Sequence, residues 1–231
     1  MSDPLWWETF VTLCYVAGLR AGEATHLTWA DIDFARGLVR VAPKPETANT
    51  LAWQPKDAEV RHIPVPPALL ALFAKMQAEA ADGHAYVFIC PARLRLIREA
   101  RTAGAWGETQ AVLNNLGRDF RRLVKIAGKT ARTLVTGDGK AAVSLHDLRR
   151  SCITNLAKRV SIQVVMKLAG HSNIETTRRS YLSTTEDQMQ LAQEAAAAAL
   201  ADAMARVQAP TPVTATDSAS HPASDPAGAQ S

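Results

Sequence analysis

The sequence predicts an α+β fold that is mainly α-helical and contains a small antiparallel β-sheet. Apolar residues recur at helical spacing along most of the chain, whereas two short stretches, residues 38–41 and 60–65, are typical of strands. The chain has 231 residues, of which 47% are hydrophobic and 21% charged, as expected for a folded protein with a buried core. It contains no run of about 18 uncharged apolar residues, so we expect no membrane-spanning helix.

The N-terminal half is predicted to alternate between helices and extended segments. Trp6, Phe10 and Leu13 share one face of the first helix, and Gly18 is well placed to end it. The polar and proline-containing residues between the two main strands are compatible with a hairpin. In order, the predicted elements are helices over 5–17 and 21–29, a turn over 31–37, strands over 38–41 and 60–65, a helix over 68–79 and a short strand over 86–89.

The C-terminal half is predicted to be helical up to a tail of low complexity. Val112, Leu116 and Phe120 form one apolar stripe, and Asp138-Gly139 predicts a hairpin turn. The predicted helices cover 109–127, 146–159, 162–169, 174–182 and 185–207. The predicted domains are a globular domain over 1–184, a separate C-terminal helix over 185–207 and a disordered tail over 208–231, where Ala, Pro, Ser and Thr make up 17 of 24 residues.

Charge is distributed unevenly along the chain. The whole sequence has a net charge of +4, but residues 84–159 contain 15 Lys/Arg and 5 Asp/Glu, a net charge of +10. A basic block within a folded chain favours a polyanionic partner such as nucleic acid. Charge alone leaves open the alternative that these residues are solvated helix faces.

The three cysteines do not form a pattern typical of a disulfide framework or a zinc cluster. Cys14, Cys90 and Cys152 are far apart and odd in number. The N-terminus also lacks the basic start and apolar core of a signal peptide. We therefore expect a reduced, cytoplasmic protein.

Three short motifs and one tyrosine contain the residues best suited to chemistry. Residues 18–23 read GLRAGE, residues 145–150 read LHDLRR, and residues 168–172 read LAGHS, with Tyr181 ten positions after His171. Each motif is weak alone, but together and in this order they resemble the tyrosine recombinase (phage integrase) family over about residues 5–185. The resemblance implies the catalytic-domain fold of a DNA breaking and rejoining enzyme.

The resemblance also implies a set of catalytic residues. The residues that match the family's motifs are Arg20, Lys56, His146, Arg149, His171 and the nucleophile Tyr181. Lys56 fits the family's hairpin lysine because Arg61 and then HIPV follow it, just before the second predicted strand. Lys44, on the other side of the predicted loop, is the alternative general acid.

These residue types suit phosphoryl transfer. The guanidiniums of Arg20 and Arg149 match the charge and planar geometry of phosphate oxygens. A tyrosine, with a pKa of about 10, needs help to lose its proton, but it can form a covalent 3′-phosphotyrosine that another DNA hydroxyl reverses. This reaction needs no cofactor, and Glu23 is interpreted as a support that orients a neighbouring basic residue.

Further arginines are candidate DNA contacts. Arg118, Arg121 and Arg122 lie on the predicted helix over 109–127, and Arg150 points about 100° away from Arg149 on its own helix. Metal-dependent cleavage would require clustered carboxylates instead. The pair Asp31 and Asp33 is interpreted as caps and turns, so no metal site is predicted.

The sequence also predicts partners. Only 17 residues precede Gly18, so we expect a separate N-terminal DNA-clamping domain to complete the grip on double-stranded DNA. The family's mode of assembly implies a homotetramer on DNA in which the protomers exchange the helix over 185–207.

The resemblance implies site-specific recombination, for integration or excision of mobile DNA, as the function. Two alternatives remain: a type IB topoisomerase activity, or a non-catalytic DNA-binding remnant of a truncated integrase.

Overall fold

The computed structural model describes residues 3–56, 59–107 and 110–170, which fall within one compact unit, Met1–Thr185. The described residues form seven α-helices, two 3₁₀ turns and one three-stranded sheet. The helices are α1 (Pro4–Ala17), α2 (Ala21–Thr25), α3 (Pro67–Ala78), α4 (Pro91–Thr102), α5 (Leu116–Ala127), α6 (Leu145–Ala157) and α7 (Ile162–Ala169); the strands are β1 (Ile32–Asp33), β2 (Leu38–Val41) and β3 (Arg61–Pro64); the 3₁₀ turns are Trp29–Asp31 and Arg132–Leu134. The predicted α+β class is confirmed.

Helix α1 is the central element of the main core. Asp3 caps its start by accepting a hydrogen bond from the Leu5 N–H at 3.2 Å, and Gly18 ends it in the left-handed conformation, with φ 63°. Phe10 and Leu13 are completely buried, and the helix packs against α3 and α6. Both the predicted helix and its terminating glycine are confirmed.

The sheet has the order β1-β2-β3 with antiparallel neighbours. Val39 pairs with Ile63 and Val41 pairs with Arg61, and all four side chains face the protein interior. The predicted pairing of the two main strands is therefore confirmed. The predicted turn over 31–37 is shorter than expected, because its first residues form the two-residue strand β1 against β2.

A second apolar cluster lies beneath the long connection between β2 and β3. It consists of Leu51, Tyr86, Ile89, Leu94, Ile97 and Val112. The Leu51 N–H donates a hydrogen bond to the Tyr86 hydroxyl at 2.8 Å, and Arg101 on α4 pairs with Glu46 at 2.8 Å. The connection is thus attached to α4 and not only to the strands at its ends.

Two neighbouring segments, residues 86–89 and helix α4, differ from the prediction. The run over 86–89 is not a strand: within the described residues it makes one isolated bridge, from Tyr86 to Thr28, and its apolar side chains are buried as core. Helix α4 was not predicted, because four arginines in twelve residues mask its buried pair, Leu94 and Ile97.

Three helix or hairpin boundaries also differ from the prediction. The helix expected over 109–127 begins only at Leu116, since Asn115 adopts a left-handed conformation with φ 62° and Val112 packs into the second cluster. The helix expected over 21–29 ends at Thr25. The turn at Asp138-Gly139 is confirmed, but it is flanked by a single bridge from Val135 to Ala141 and not by strands.

The predictions for 174–182, for the C-terminal helix over 185–207 and for the tail over 208–231 lie outside the described residues. Within the part that is described, no helix is both long and apolar enough to cross a bilayer.

Candidate active site

Arg20 lies at the junction between α1 and α2. Gly18 turns the chain sharply, and the Arg20 backbone N–H then donates to Glu23 Oε2 at 2.9 Å, closing the first turn of α2. The Arg20 side chain reaches Glu23 Oε1 at 3.0 Å and donates to the Gly170 carbonyl at 3.0 Å. The guanidinium is therefore fixed by contacts from both ends of the described chain, while 28% of its side-chain surface is exposed.

Arg149 is positioned by α6 and is almost fully buried. Its two terminal nitrogens donate to the carbonyls of Gly18 and Ala169, each at 2.5 Å. Burial, followed by the charge of Arg20, lowers the pKa of Arg149 to about 10. The side chain consequently stays positively charged at neutral pH.

Glu23 connects these arginines. Its side chain is 2% exposed, and its carboxylate lies 3.0 Å from Arg20, 2.7 Å from Arg61 and 4.0 Å from Arg149. We call these four residues the arginine cluster. Buried charges of opposite sign require each other as counter-charges. The three guanidiniums therefore explain why an acidic residue occupies the GLRAGE motif.

The arginine cluster combines three guanidiniums with one carboxylate, a formal charge of +2 over these four side chains. The carbonyls of Ala169 and Gly170 at the end of α7 supply partial negative charge but no full charge. The excess positive charge suits an anion with several oxygen acceptors, such as a phosphodiester. Fixed guanidiniums also need little rearrangement when charge develops on such a group.

Arg61 is the member of this cluster that the sequence analysis did not assign to the site. It was noted there only as part of the pattern that follows Lys56. Its inward position on β3 follows from strand alternation with Ile63, and a buried arginine in a strand needs a carboxylate partner. The sequence therefore indicates that Arg61 is buried and paired, but it does not indicate that Glu23 is its partner.

The two candidate lysines have very different surroundings. The Lys44 side chain is 7% exposed, and its Nζ lies 2.5 Å from Asp31 Oδ2. The Lys44 backbone forms an isolated antiparallel bridge with Trp53 within the β2–β3 connection. Lys56 is exposed in a turn of the same connection, next to residues 57–58, which are not described.

The remaining predicted residues are spread over the surface or lie outside the described chain. His146, in the first turn of α6, is exposed, and Arg150 is exposed whereas its neighbour Arg149 is buried. The exposed arginines of α5 are Arg118, Arg121 and Arg122. His171 and Tyr181 lie outside the described residues, although His171 directly follows Gly170, the residue bound by Arg20.

The interpretation of Asp31 and Asp33 is confirmed. Asp31 accepts hydrogen bonds from the Thr28 N–H and hydroxyl and pairs with Lys44, while Asp33 accepts from the Arg36 N–H in the β1–β2 turn. Across residues 3–56, 59–107 and 110–170, no three His, Cys, Asp or Glu side chains are grouped as metal ligands.

Curated relatives share moderate sequence similarity with this chain. The tyrosine recombinase XerC of Mycobacterium tuberculosis is 28% identical over 169 residues, which cover 73% of this chain and 46% of that protein. The tyrosine recombinase XerA of Thermococcus kodakarensis is 29% identical over 187 residues, 80% of this chain and 54% of that protein. The chain thus spans about half the length of the curated relatives that it matches.

Solved structures show the same fold. The integrase of the Tn1549 transposon, in complex with a circular intermediate DNA, has a TM-score of 0.58 and 21% identity, covering 84% of this chain and 60% of that one. The XerA recombinase has a TM-score of 0.52 and 15% identity, covering 83% and 58%. The tyrosine recombinase catalytic-domain fold is therefore confirmed, and residues 1–188 match the phage integrase family. The chain belongs to the phage integrase family.

Proposed function

We propose that this chain is the catalytic domain of a site-specific DNA recombinase, which cleaves and rejoins DNA through a covalent 3′-phosphotyrosine during integration or excision of mobile DNA. The observation that carries the proposal is the arginine cluster, in which Glu23 and backbone carbonyls hold Arg20 and Arg149 together from distant parts of the sequence. Family membership and the Tn1549 integrase fold support the same assignment.

The proposed reaction begins with attack of the Tyr181 hydroxyl oxygen on the scissile phosphorus. A bond forms between phosphorus and the tyrosine oxygen, and the bond to the 5′ sugar oxygen breaks. The tyrosine proton passes to a base, for which His146 is the candidate, and a lysine protonates the leaving sugar oxygen. The phosphotyrosine preserves the energy of the broken bond, so that a 5′ hydroxyl of another strand reverses the step without ATP.

Arg20 and Arg149 act on the non-bridging oxygens in this scheme. Charge increases on these oxygens as the nucleophile approaches, and fixed guanidiniums stabilise it more effectively than reorienting water does. His171 adds a hydrogen bond to the same phosphate. Glu23 orients the arginines and does not touch the DNA.

The contacts of the two lysines support Lys56 as the general acid. Lys44 Nζ is already engaged by the buried carboxylate of Asp31, 2.5 Å away, whereas Lys56 is exposed on a turn, where its ammonium is accessible to a substrate. The assignment can be tested with a substrate whose leaving oxygen is replaced by sulfur, because a thiolate leaves without protonation. We expect this substrate to restore cleavage by Lys56→Ala but not by Arg149→Lys. Restoration of a defective Lys44→Ala variant instead would identify Lys44.

Double-stranded DNA is the proposed partner, bound in part by the exposed arginines of α5. We propose that four copies assemble on two duplexes through the segment 185–207 and that a separate N-terminal domain clamps the opposite face of the DNA. The cytoplasm is the proposed location. Removing residues 186–231 should reduce assembly on DNA in gel-shift and light-scattering measurements while leaving the unfolding temperature of the globular domain unchanged.

The central test is capture of the covalent intermediate. The full chain is incubated with a pool of randomised nicked duplexes, in which the cleaved fragment diffuses away and traps the enzyme on DNA. We expect a detergent-resistant adduct that is absent with Tyr181→Phe, and sequencing of the trapped DNA would give the target site. If no adduct forms, even when a clamp domain from a relative is fused to the chain, the proposal fails.

A further inference from the structure

Arg61 shares the carboxylate that holds Arg20. Its side chain is 4% exposed, and Nη2 lies 2.7 Å from Glu23 Oε1, the same oxygen that Arg20 contacts at 3.0 Å. Within the described residues, none of the Arg61 side-chain nitrogens makes a hydrogen bond of normal geometry, so the short contact to Glu23 is an ion pair without a directed N–H. Arg61 is therefore held mainly by charge and by packing.

The packing partner of Arg61 is Gly170. A Cβ atom at position 170 would overlap Arg61 Nη1 and lie 2.6 Å from Cζ, so the guanidinium occupies the space that a side chain would fill. Gly170 also has φ 60° and accepts a hydrogen bond from Arg20 through its carbonyl. Arg61 thus contacts both of the groups that fix the Arg20 guanidinium.

We infer that Arg61 is a positioning residue for the cleavage reaction: through Glu23 and Gly170 it sets the placement of Arg20 and Arg149. The inference rests on the function proposed above. The physical reason is competition for one carboxylate. Arg61 neutralises part of the negative charge of Glu23. Without Arg61, the Glu23 carboxylate would pair only with Arg20 and Arg149, and this stronger pairing would weaken the attraction of those two arginines for phosphate.

The test compares a charged and an uncharged substrate. A nicked duplex is made with either a normal phosphate or a methylphosphonate at the scissile position, and the rate of adduct formation at Tyr181 is measured for the full chain. Misplaced catalytic groups reduce rates by about 100-fold. We expect Arg61→Gln to slow cleavage of the phosphate by about 10- to 100-fold and cleavage of the methylphosphonate much less, since the neutral group depends less on the arginines.

Gly170 provides a second, independent test. Gly170→Ala should impair cleavage, and adding Arg61→Lys should restore part of the lost rate, because a lysine lacks the planar group that overlaps the new methyl. Gly104→Ala is the matched control: Gly104 follows a helix, has φ 66° and has open space at its Cβ position. Arg36→Gln, an exposed arginine 3.9 Å from Asp33, controls for loss of a positive charge.

The possible outcomes separate the two proposals. Equal slowing of both substrates by Arg61→Gln, or a wild-type rate on phosphate, would overturn the role of Arg61. If Arg61→Gln does not fold, the test becomes a comparison of cleavage rates between Gly170→Ala and the double variant Arg61→Lys/Gly170→Ala. A double variant that cleaves no faster than Gly170→Ala then counts against the inference. A wild-type chain that forms no adduct would reject the proposed function, and the role of Arg61 with it.

Discussion

The arginines of the arginine cluster and those of α5 are the same residue type in opposite environments. Arg61 and Arg149 are buried against Glu23 and backbone carbonyls, whereas Arg118, Arg121 and Arg122 project into solvent. A buried guanidinium is fixed and becomes costly to leave unpaired, while an exposed one is mobile and screened by salt. The difference indicates that net charge identifies the kind of partner, and that burial identifies which charges are suited to chemistry.

Glu23→Gln should reveal the largest effect in this comparison. The substitution preserves size but leaves three guanidiniums without their buried counter-charge, and breaking a buried pair typically costs about 3–5 kcal/mol of unfolding free energy. Urea denaturation measures this loss. Glu99→Gln is the exposed control, with its carboxylate 4.0 Å from Arg95 and both side chains mostly in solvent, and it should change stability by about 0–1 kcal/mol. Similar losses for the two variants would contradict the role given to burial.

Arg149→Lys should have the next largest effect, a decrease in the rate of cleavage. An ammonium cannot donate to the Gly18 and Ala169 carbonyls and to a phosphate in the same planar geometry. Loss of one such stabilising group lowers catalytic rates by about 10²–10³-fold. Adduct formation measures the effect, and Arg150→Lys on the exposed neighbour should leave the rate within a few-fold. A nearly active Arg149→Lys variant would show that positive charge alone is sufficient.

His26 extends the comparison to pH. It is buried against Trp53, with ring centroids 4.6 Å apart, and Nδ1 lies 2.7 Å from the Gly22 carbonyl. Burial lowers the pKa of His26 to about 4, although the hydrogen bond to Gly22 acts in the opposite direction. The folded state therefore binds this proton less readily than the unfolded state, whose histidine pKa is about 6.5.

It follows that the unfolding free energy should fall as pH decreases from about 6.5 to 4, by up to about 3 kcal/mol, and should be independent of His26 above about pH 7. Urea denaturation at several pH values, compared with His26→Gln, isolates this contribution because other titrating groups are common to both proteins. An identical pH dependence in the two proteins would rule it out.

The smallest effect per residue is expected on α5. Replacing Arg118, Arg121 and Arg122 with Gln should leave folding unchanged, because the side chains are exposed, but should weaken DNA binding. Each phosphate contact contributes about −0.9 to the slope of log affinity against log salt. Gel-shift titrations at several salt concentrations should therefore give a shallower slope for the triple variant. An unchanged slope would mean that DNA does not contact this face.

Local patterns predicted the elements that depend on local physics. Helix α1, its terminating Gly18 and the β2–β3 pairing followed from periodicity and turn residues. Helix α4 did not, because arginines interrupt its apolar stripe and its cluster is completed by Leu51 and Tyr86 from other segments. The sequence likewise predicts a supporting role for Glu23 but not all of its partners, because Arg61 and Arg149 reach Glu23 only through tertiary packing.

The hydrogen bond between Leu51 and Tyr86 has a consequence for the order of folding. Residues 42–60 separate β2 from β3, and closing such a connection costs entropy before any strand pairing compensates for it. Anchoring Leu51 beneath α4 shortens the segments that remain free, so β3 should pair with β2 only after the second apolar cluster has formed. Since Arg61 begins β3, the arginine cluster should then be among the last parts of the domain to assemble.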